Sequence, residues 1–142
     1  YLFGQRKNWE IVNAAMANTL LTPWHADFLG ALNMDLLIVM TGTSDWKSGT
    51  TLPVFRKNLE RFFTAFRKLR PKTPAVLVTP LKRDTGAAPY IKAMKEFGKA
   101  NGIRVIDGTA LLPDDPKLYA KDRINPNSAG ASMLAEKLAE LL

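Results

Sequence analysis

The sequence predicts an α/β protein in which a mainly parallel sheet lies between two layers of helices. Short apolar, β-branched runs alternate along the chain with longer segments whose apolar residues recur every three to four positions. The first pattern is typical of buried strands, and the second is typical of helices that cover a sheet. The 142 residues suffice for one domain with a hydrophobic core but not for two. We therefore expect a single flavodoxin-like α/β/α domain over residues 1–142, with four to five strands.

Four strands are expected in the body of the chain, at residues 11–12, 35–41, 75–79 and 103–106. An atypical N-terminal strand is expected at residues 1–4. A parallel crossover needs about a dozen residues, and the gap before Ile11 is shorter. This strand should therefore form an antiparallel hairpin or pair with a second chain, which would make the protein a homo-oligomer.

Helical patterns lie between the strands. Pro53 is well placed to begin a helix that Pro71 ends, and similar spacing predicts helices before Gly102 and at the C-terminus. A shorter helix is expected from near His25 to Gly30. Because the carboxyl ends of parallel strands meet at one edge of a sheet, the loops after the strands should share one rim.

The net charge of +7 is concentrated in the predicted helix after Pro53. Arg70 and Lys72 lie at its end, and the face considered for binding consists of Arg56, Lys57, Arg61, Arg67 and Lys68. Such a face can hold an anionic polymer through release of counterions. It can equally be the solvated side of a surface helix.

Composition argues against several classes of protein. There is no cysteine, and His25 is the only histidine, so we expect no metal site. No dinucleotide or Walker fingerprint is present, and we expect no cofactor. The longest apolar run, residues 36–40, is far below the ~20 residues of a membrane span, so we expect a soluble protein. Composition leaves the compartment open.

Three segments resemble sequence blocks of the GDSL/SGNH hydrolase family. Residues 35–45 (DLLIVMTGTSD) resemble its third block, a buried strand that ends in Gly-x-Asn-Asp. Residues 122–130 (DRINPNSAG) resemble its last block, Asp-x-x-His-Pro-Asn with a glycine soon after. Residues 13–19 (NAAMANT) are similar to its second block. The resemblance implies acyl-ester hydrolysis by a serine nucleophile, a histidine base that an aspartate steadies, and an oxyanion hole.

The resemblance also assigns site residues. The catalytic positions fall on Ser44, Asp122 and Asn125, and the substrate-binding positions on Asn18, Gly42, Asp45 and Trp46. The implied ligand is a small acyl ester or an acetylated sugar, for which a rim tryptophan is a good stacking surface. Asp122 also has a structural interpretation, because it can accept backbone N–H bonds in the turn before the last helix.

The chemistry-bearing positions carry altered side chains. Asn125 stands where the family has its histidine, and Ser44 where it has its asparagine, while no segment of residues 1–142 matches the serine block. A carboxamide cannot take a proton near neutral pH, which removes general-base assistance worth about 10²–10⁴-fold. A misplaced oxyanion donor costs roughly 3 kcal/mol of transition-state stabilisation.

Three functions therefore remain open. The first is a non-catalytic relative of the esterases that uses the cleft for binding. The second is an active esterase whose nucleophile block lies upstream of Tyr1 or in another chain, or in which His25 serves as the base beside Asp27 or Asp45. The third is a basic domain that binds polyanions.

Overall fold

The computed structural model describes residues 8–16, 18–81 and 86–142. The expected N-terminal strand at residues 1–4 lies outside this part of the chain. The described part contains a three-stranded parallel sheet with the order β1-β2-β3: β1 (Leu37–Met40), β2 (Ala75–Val78) and β3 (Arg104–Ile106). The α/β class with a parallel sheet is confirmed, and the strand count within the described residues is three instead of four to five.

The expected strand at residues 11–12 is wrong. Ile11 and Val12 belong to no strand, and 41% and 64% of their respective surfaces are exposed. Two apolar residues do not specify a strand unless a neighbouring strand supplies hydrogen-bond partners and a surface to pack on.

Helices connect and cover the strands. They are α1 (Pro23–Gly30), α2 (Thr43–Lys47), α3 (Leu52–Leu69), α4 (Ala88–Asn101), α5 (Gly108–Leu111) and α6 (Ser128–Leu141), with a 3-10 turn at Pro116–Leu118. The predicted short helix corresponds to α1, and the three predicted long helices correspond to α3, α4 and α6. Helices α2 and α5 have only five and four residues, too few to produce a periodic pattern in the sequence.

The alternation of strand side chains divides the core into two. On one face of the sheet, Val39 and Leu77 pack with apolar residues of α1, α3 and α4. On the other face, Val78 and Ile106 pack with Leu138 of α6. The sheet therefore separates two helical layers, as the alternating sequence pattern predicts.

Arg70 connects α1 to the end of α3. Its Nε donates to the carbonyl oxygen of Gly30 at 2.9 Å, and its guanidinium also donates to the carbonyl of Leu32. Helix carbonyls near a C-terminus lack partners within the helix, so a cation that donates to them stabilises that end. Arg70 thus fixes the position of α1.

We expect Arg70→Ala to lower the free energy of unfolding by about 2 kcal/mol, since hydrogen bonds from a charged donor are worth about 1.5–3 kcal/mol. Arg70→Lys should recover only part of this loss, because one ammonium cannot reproduce the guanidinium fork. Urea denaturation measures both variants. Arg61→Ala, on the exposed side of α3, is the control and should change stability by less than about 0.5 kcal/mol. An equal loss of stability in Arg70→Ala and Arg61→Ala would contradict the proposed role of Arg70 in connecting α1 to α3.

Candidate functional site

The loop before α6 is organised around the carboxylate of Asp122. Its Oδ1 accepts the backbone N–H groups of Ile124 at 2.9 Å and of Asn125 at 3.0 Å. Its Oδ2 accepts the side-chain Nδ2 of Asn125 at 2.5 Å. The predicted structural role of Asp122 as an acceptor of backbone N–H bonds is confirmed.

These contacts fix the ionisation of Asp122. The N–H of Ile124, then the backbone and side chain of Asn125, lower the pKa of this exposed carboxyl, and the Lys47 ammonium adds to the effect. Asp122 is therefore an anion at neutral pH. Among the described residues, no group donates to Oδ1 of Asn125. Asn125 is exposed, and its amide nitrogen is bonded to the Asp122 carboxylate while its amide oxygen is left as an acceptor.

Asn127 attaches this loop to α6. Its Oδ1 accepts the N–H of Gly130 at 3.1 Å, and its Nδ2 donates to the carbonyls of Lys117 at 2.7 Å and Tyr119 at 3.2 Å. An asparagine at the helix N-cap satisfies donors that the helix leaves free. Gly130 lies close to this loop, because a Cβ there would be 2.1 Å from the carbonyl oxygen of Leu118.

The segment after β1 turns sharply into α2 at Gly42. Its φ of 97° lies in the left-handed region that favours glycine. A Cβ at this position would lie 3.2 Å from Sδ of Met94 and 3.3 Å from Cγ of Pro80, so the turn packs closely against its neighbours. Ser44, the predicted oxyanion donor, follows in α2 and is half-buried.

Asp45 is completely buried. Neither of its carboxyl oxygens has a hydrogen-bond partner among the described residues. Burial raises the pKa of Asp45, although its own backbone N–H opposes the shift. In this structure its carboxyl does not face solvent, so the substrate contact expected from the sequence stays a prediction.

Trp46 packs against the part of the core that lies between the sheet and helices α1, α3 and α4, and it also packs against Gly86. A Cβ at Gly86 would be 2.2 Å from the indole Nε1, so only glycine permits this approach. The indole is partly exposed. It lies at the end of the loop that leads from β2 into α4, which is part of the predicted rim.

The charge of Lys47, at the end of α2, contributes after the hydrogen bonds to the lowered pKa of Asp122. The Lys47 side chain therefore lies close enough to Asp122 for its charge to act on that carboxylate. Asn18 is exposed in a turn with φ of 58°, and no described residue links it to this pair of loops. Ala17, which stands beside Asn18 in the segment that resembles the second block, lies outside the described residues.

His25 caps α1. Its Nδ1 accepts the backbone N–H of Thr22 at 3.2 Å and lies 2.9 Å from the Thr22 hydroxyl, while its ring meets Trp24 edge-to-face. A nitrogen that serves as a helix cap is engaged in structure. The use of His25 as a catalytic base stays a prediction that these contacts do not support.

A cluster after β3 was missed from the sequence. Nζ of Lys95 lies 2.6 Å from Oδ2 of Asp107, whose Oδ1 accepts the N–H and hydroxyl of Thr109. The next residue, Gly108, donates its N–H to Oγ1 of buried Thr79 at 2.9 Å. Burial would raise the pKa of Asp107, but the bonds from Lys95 and Thr109 outweigh it and hold the pKa at about 2. An aspartate followed by Gly-Thr is an N-cap pattern that the sequence already contained.

We expect Asp107→Asn to lose about 2 kcal/mol of stability at neutral pH, because the native pKa of about 2 lies below the ordinary 3.8. A depressed carboxyl pKa gives stability that is present above pH 3.8 and lost as pH falls through about 2. The difference between wild type and variant should therefore shrink on acidification across this window. Urea denaturation at several pH values measures it, with exposed Asp27→Asn as the control. A difference that does not change with pH would contradict the role of the Lys95–Asp107 pair.

The predicted basic face is divided by internal contacts. Arg56 forms an ion pair with Glu96 at 2.6 Å, and Arg67 donates to the carbonyl of Asn101 at 2.6 Å. The basic side chains of α3 without a partner among the described residues are Lys57, Arg61 and Lys68.

Within the described ranges, no group of three or more histidine or acidic side chains is arranged to hold a metal ion. No helix in the described part of the chain is long and apolar enough to cross a membrane.

Comparison with known families identifies the family of this chain. The family model of the GDSL-like lipases and acylhydrolases matches residues 1–133. The chain belongs to this family. It is a GDSL/SGNH-like hydrolase domain.

Solved structures share the fold of this GDSL domain. The salicylyl-acyltransferase SsfX3 of a tetracycline biosynthetic pathway has 24% sequence identity and a TM-score of 0.80, over 99% of this chain and 48% of that one. A G-D-S-L family protein from Desulfitobacterium hafniense DCB-2 has 18% identity and a TM-score of 0.81, over 99% and 86%. A carbohydrate esterase of family 3 from Talaromyces cellulolyticus has 16% identity and a TM-score of 0.65, over 82% and 60%.

The chain thus spans about half the length of the acyltransferase. At these identities the likeness establishes the fold alone. Among curated protein sequences, no relative matches the chain.

Proposed function

We propose that this GDSL domain is a non-catalytic relative of the family that binds an acyl ester or acetylated sugar at the rim formed by α2 and the loop before α6. The observation that carries the proposal is the bond from Nδ2 of Asn125 to Oδ2 of Asp122 at 2.5 Å. The Asn125 side chain occupies the position of the family's base and keeps a hydrogen bond to the aspartate. It has no basic nitrogen with which to take a proton.

The chemistry of a carboxamide supports binding in place of hydrolysis. With Nδ2 directed to Asp122, Oδ1 is left as an acceptor for a ligand hydroxyl or N–H group. A histidine at this position would point its acceptor nitrogen the same way and would use it to remove a proton from a nucleophile. Asn125 can therefore hold the same type of group without activating it.

Two further residues suit an acylated ligand. The Ser44 hydroxyl can donate to a carbonyl oxygen, and the partly exposed indole of Trp46 offers an apolar surface to an acyl group or a sugar ring. Gly42, whose φ of 97° turns the chain into α2, precedes Ser44 by two residues.

Hydrolysis of p-nitrophenyl acetate tests the loss of catalysis. The wild type and Asp122→Ala should both show no turnover above the buffer rate. Wild-type turnover that falls with Asp122→Ala would overturn the proposal and identify a working site with another base.

Binding is tested separately with an acetylated xylooligosaccharide and its deacetylated form. Calorimetry should detect the acetylated sugar only, and Asn125→Ala should weaken its binding by about tenfold, the worth of one or two hydrogen bonds. Ser132→Ala, in α6, is the matched control and should bind as the wild type does. Equal affinity for both sugars would remove the acyl group from the proposal.

An active esterase is the second candidate. One observation favours it: Asp122 keeps the lowered pKa and fixed position of a carboxylate that orients a base. It requires a nucleophile and a base that residues 1–142 do not supply at the family positions. The p-nitrophenyl acetate assay distinguishes the two candidates.

A further inference from the structure

The solvent side of α3 carries a stripe of three cations, Lys57, Arg61 and Lys68. Their spacing of four and seven residues places them on one side of the helix, opposite the buried Phe62 and Phe66. None of the three has an ion-pair partner among the described residues, whereas Arg56 and Arg67 are held by α4. The stripe is free to meet a partner.

The neighbouring helix α1 carries an exposed aromatic pair. The surface of Trp24 is 57% exposed and that of Phe28 is 50% exposed. Their ring centroids are 6.2 Å apart and the rings are inclined by only 12°, so the two form one stacked apolar unit. They lie on the side of α1 opposite Ala26, which is completely buried.

The stripe and the aromatic pair belong to the same outer layer. Ala26 of α1 and Phe62 of α3 pack in one core cluster, and both helices turn the residues in question away from it. Arg70 ties the C-terminal end of α1 to the end of α3, where Gly30 contacts Leu69. Leu69 is itself 49% exposed. We call this outer face, with Trp24, Phe28, Lys57, Arg61, Lys68 and Leu69, the α1–α3 face.

We propose that the α1–α3 face binds the surface of an anionic lipid bilayer. Cations near such a surface are attracted by its negative potential, and tryptophan and phenylalanine partition into the headgroup region. Each unpaired cation on a membrane surface contributes a roughly fivefold gain in partitioning, so the three together give about 100-fold. The stacked aromatic pair adds apolar area that enters the interface. The domain would then be peripheral, bound by one face.

The combination favours a bilayer over a nucleic acid or an acidic polysaccharide. Three cations neutralise few phosphates, which limits binding to a polyanion by charge alone. Trp24 and Phe28 stack on each other, and Leu69 beside them is aliphatic, so this apolar surface suits lipid better than a row of bases. A lipid interface uses both the charges and the apolar area at the same time.

Cosedimentation with phosphatidylcholine vesicles, with and without phosphatidylglycerol, tests the proposal. The wild type should bind only the vesicles that contain phosphatidylglycerol, and added salt should weaken the binding. The triple variant Lys57→Gln, Arg61→Gln, Lys68→Gln should lose about 100-fold in partitioning. A matched triple variant, Lys92→Gln, Lys117→Gln, Lys137→Gln, removes the same charge from other surfaces and should lose less than about fivefold.

The aromatic pair is tested by fluorescence. Tryptophan emission should shift to shorter wavelength when anionic vesicles are added, and Trp24→Phe should abolish this shift while Trp9 and Trp46 remain. Circular dichroism confirms that each variant is folded.

Three results would overturn the proposal. The first is no binding to phosphatidylglycerol vesicles at low salt, and the second is an equal loss in the two triple variants. The third is tighter binding to single-stranded DNA that depends on the stripe but not on Trp24 and Phe28, which would identify a polyanion site. The ester assay does not involve this face, so either proposal can fail without the other.

Discussion

A Gly130→Ala variant should lose roughly 3 kcal/mol of unfolding free energy, although alanine is a better helix former than glycine. In an ordinary helix interior this change would stabilise the protein by up to about 1 kcal/mol. Here the added Cβ would lie 2.1 Å from the carbonyl oxygen of Leu118 and 3.0 Å from Cβ of Pro126. The first of these atoms is backbone, so it cannot move without shifting the loop or α6.

The shift would also disturb the candidate site. Asn127 caps α6 through Gly130 and binds the carbonyls of Lys117 and Tyr119, and this loop continues into Asp122. A fall of about 10 °C in melting temperature should therefore accompany weaker ligand binding. Ser132→Ala, in the same helix, is the control and should be neutral or slightly stabilising. A Gly130→Ala variant as stable as the wild type would mean that the loop and helix are not in close contact.

The main strands and long helices could be predicted because their signals are local. The segment that contains β1 is a run of apolar residues, and α3 repeats apolar residues over five turns between Pro53 and Leu69. Such patterns need no knowledge of the rest of the fold. The dipeptide Ile11–Val12 has the same composition as a strand, but pairing decides strand formation, and the sequence does not show pairing.

The candidate site could be predicted only in part, for a related reason. Asp122 and Asn125 are three residues apart, so their hydrogen bonds follow from the local turn. Lys95 and Asp107 are twelve residues apart on a helix and a strand end, and only the folded chain brings them together. The complete burial of Asp45 could not be predicted from the sequence either, because an aspartate after a glycine turn normally faces water.

An Asn125→His variant should contain a histidine whose pKa lies above the ordinary value of about 6.5. The introduced ring can place its Nδ1–H where Nδ2 of Asn125 now donates to Oδ2 of Asp122. Asp122 is an anion across the neutral range, and an adjacent anion favours the imidazolium. Two-dimensional NMR resolves this titration from that of His25, the only other histidine in the chain. In the double variant with Asp122→Asn, the pKa should return toward the ordinary value.

The raised pKa has a consequence for stability whose sign is fixed. A histidine with a higher pKa in the folded state gives stability that is fully present below about pH 6.5 and lost as pH rises through the folded pKa. In urea denaturation, the free energy of unfolding of the Asn125→His variant, relative to that of the wild type, should therefore be higher at about pH 6 than at about pH 9. If the pKa of the introduced histidine is the same in the single variant and in the double variant with Asp122→Asn, the side chain at position 125 does not face the carboxylate. The proposal that Asn125 stands in the place of a base that Asp122 orients would then lose its basis.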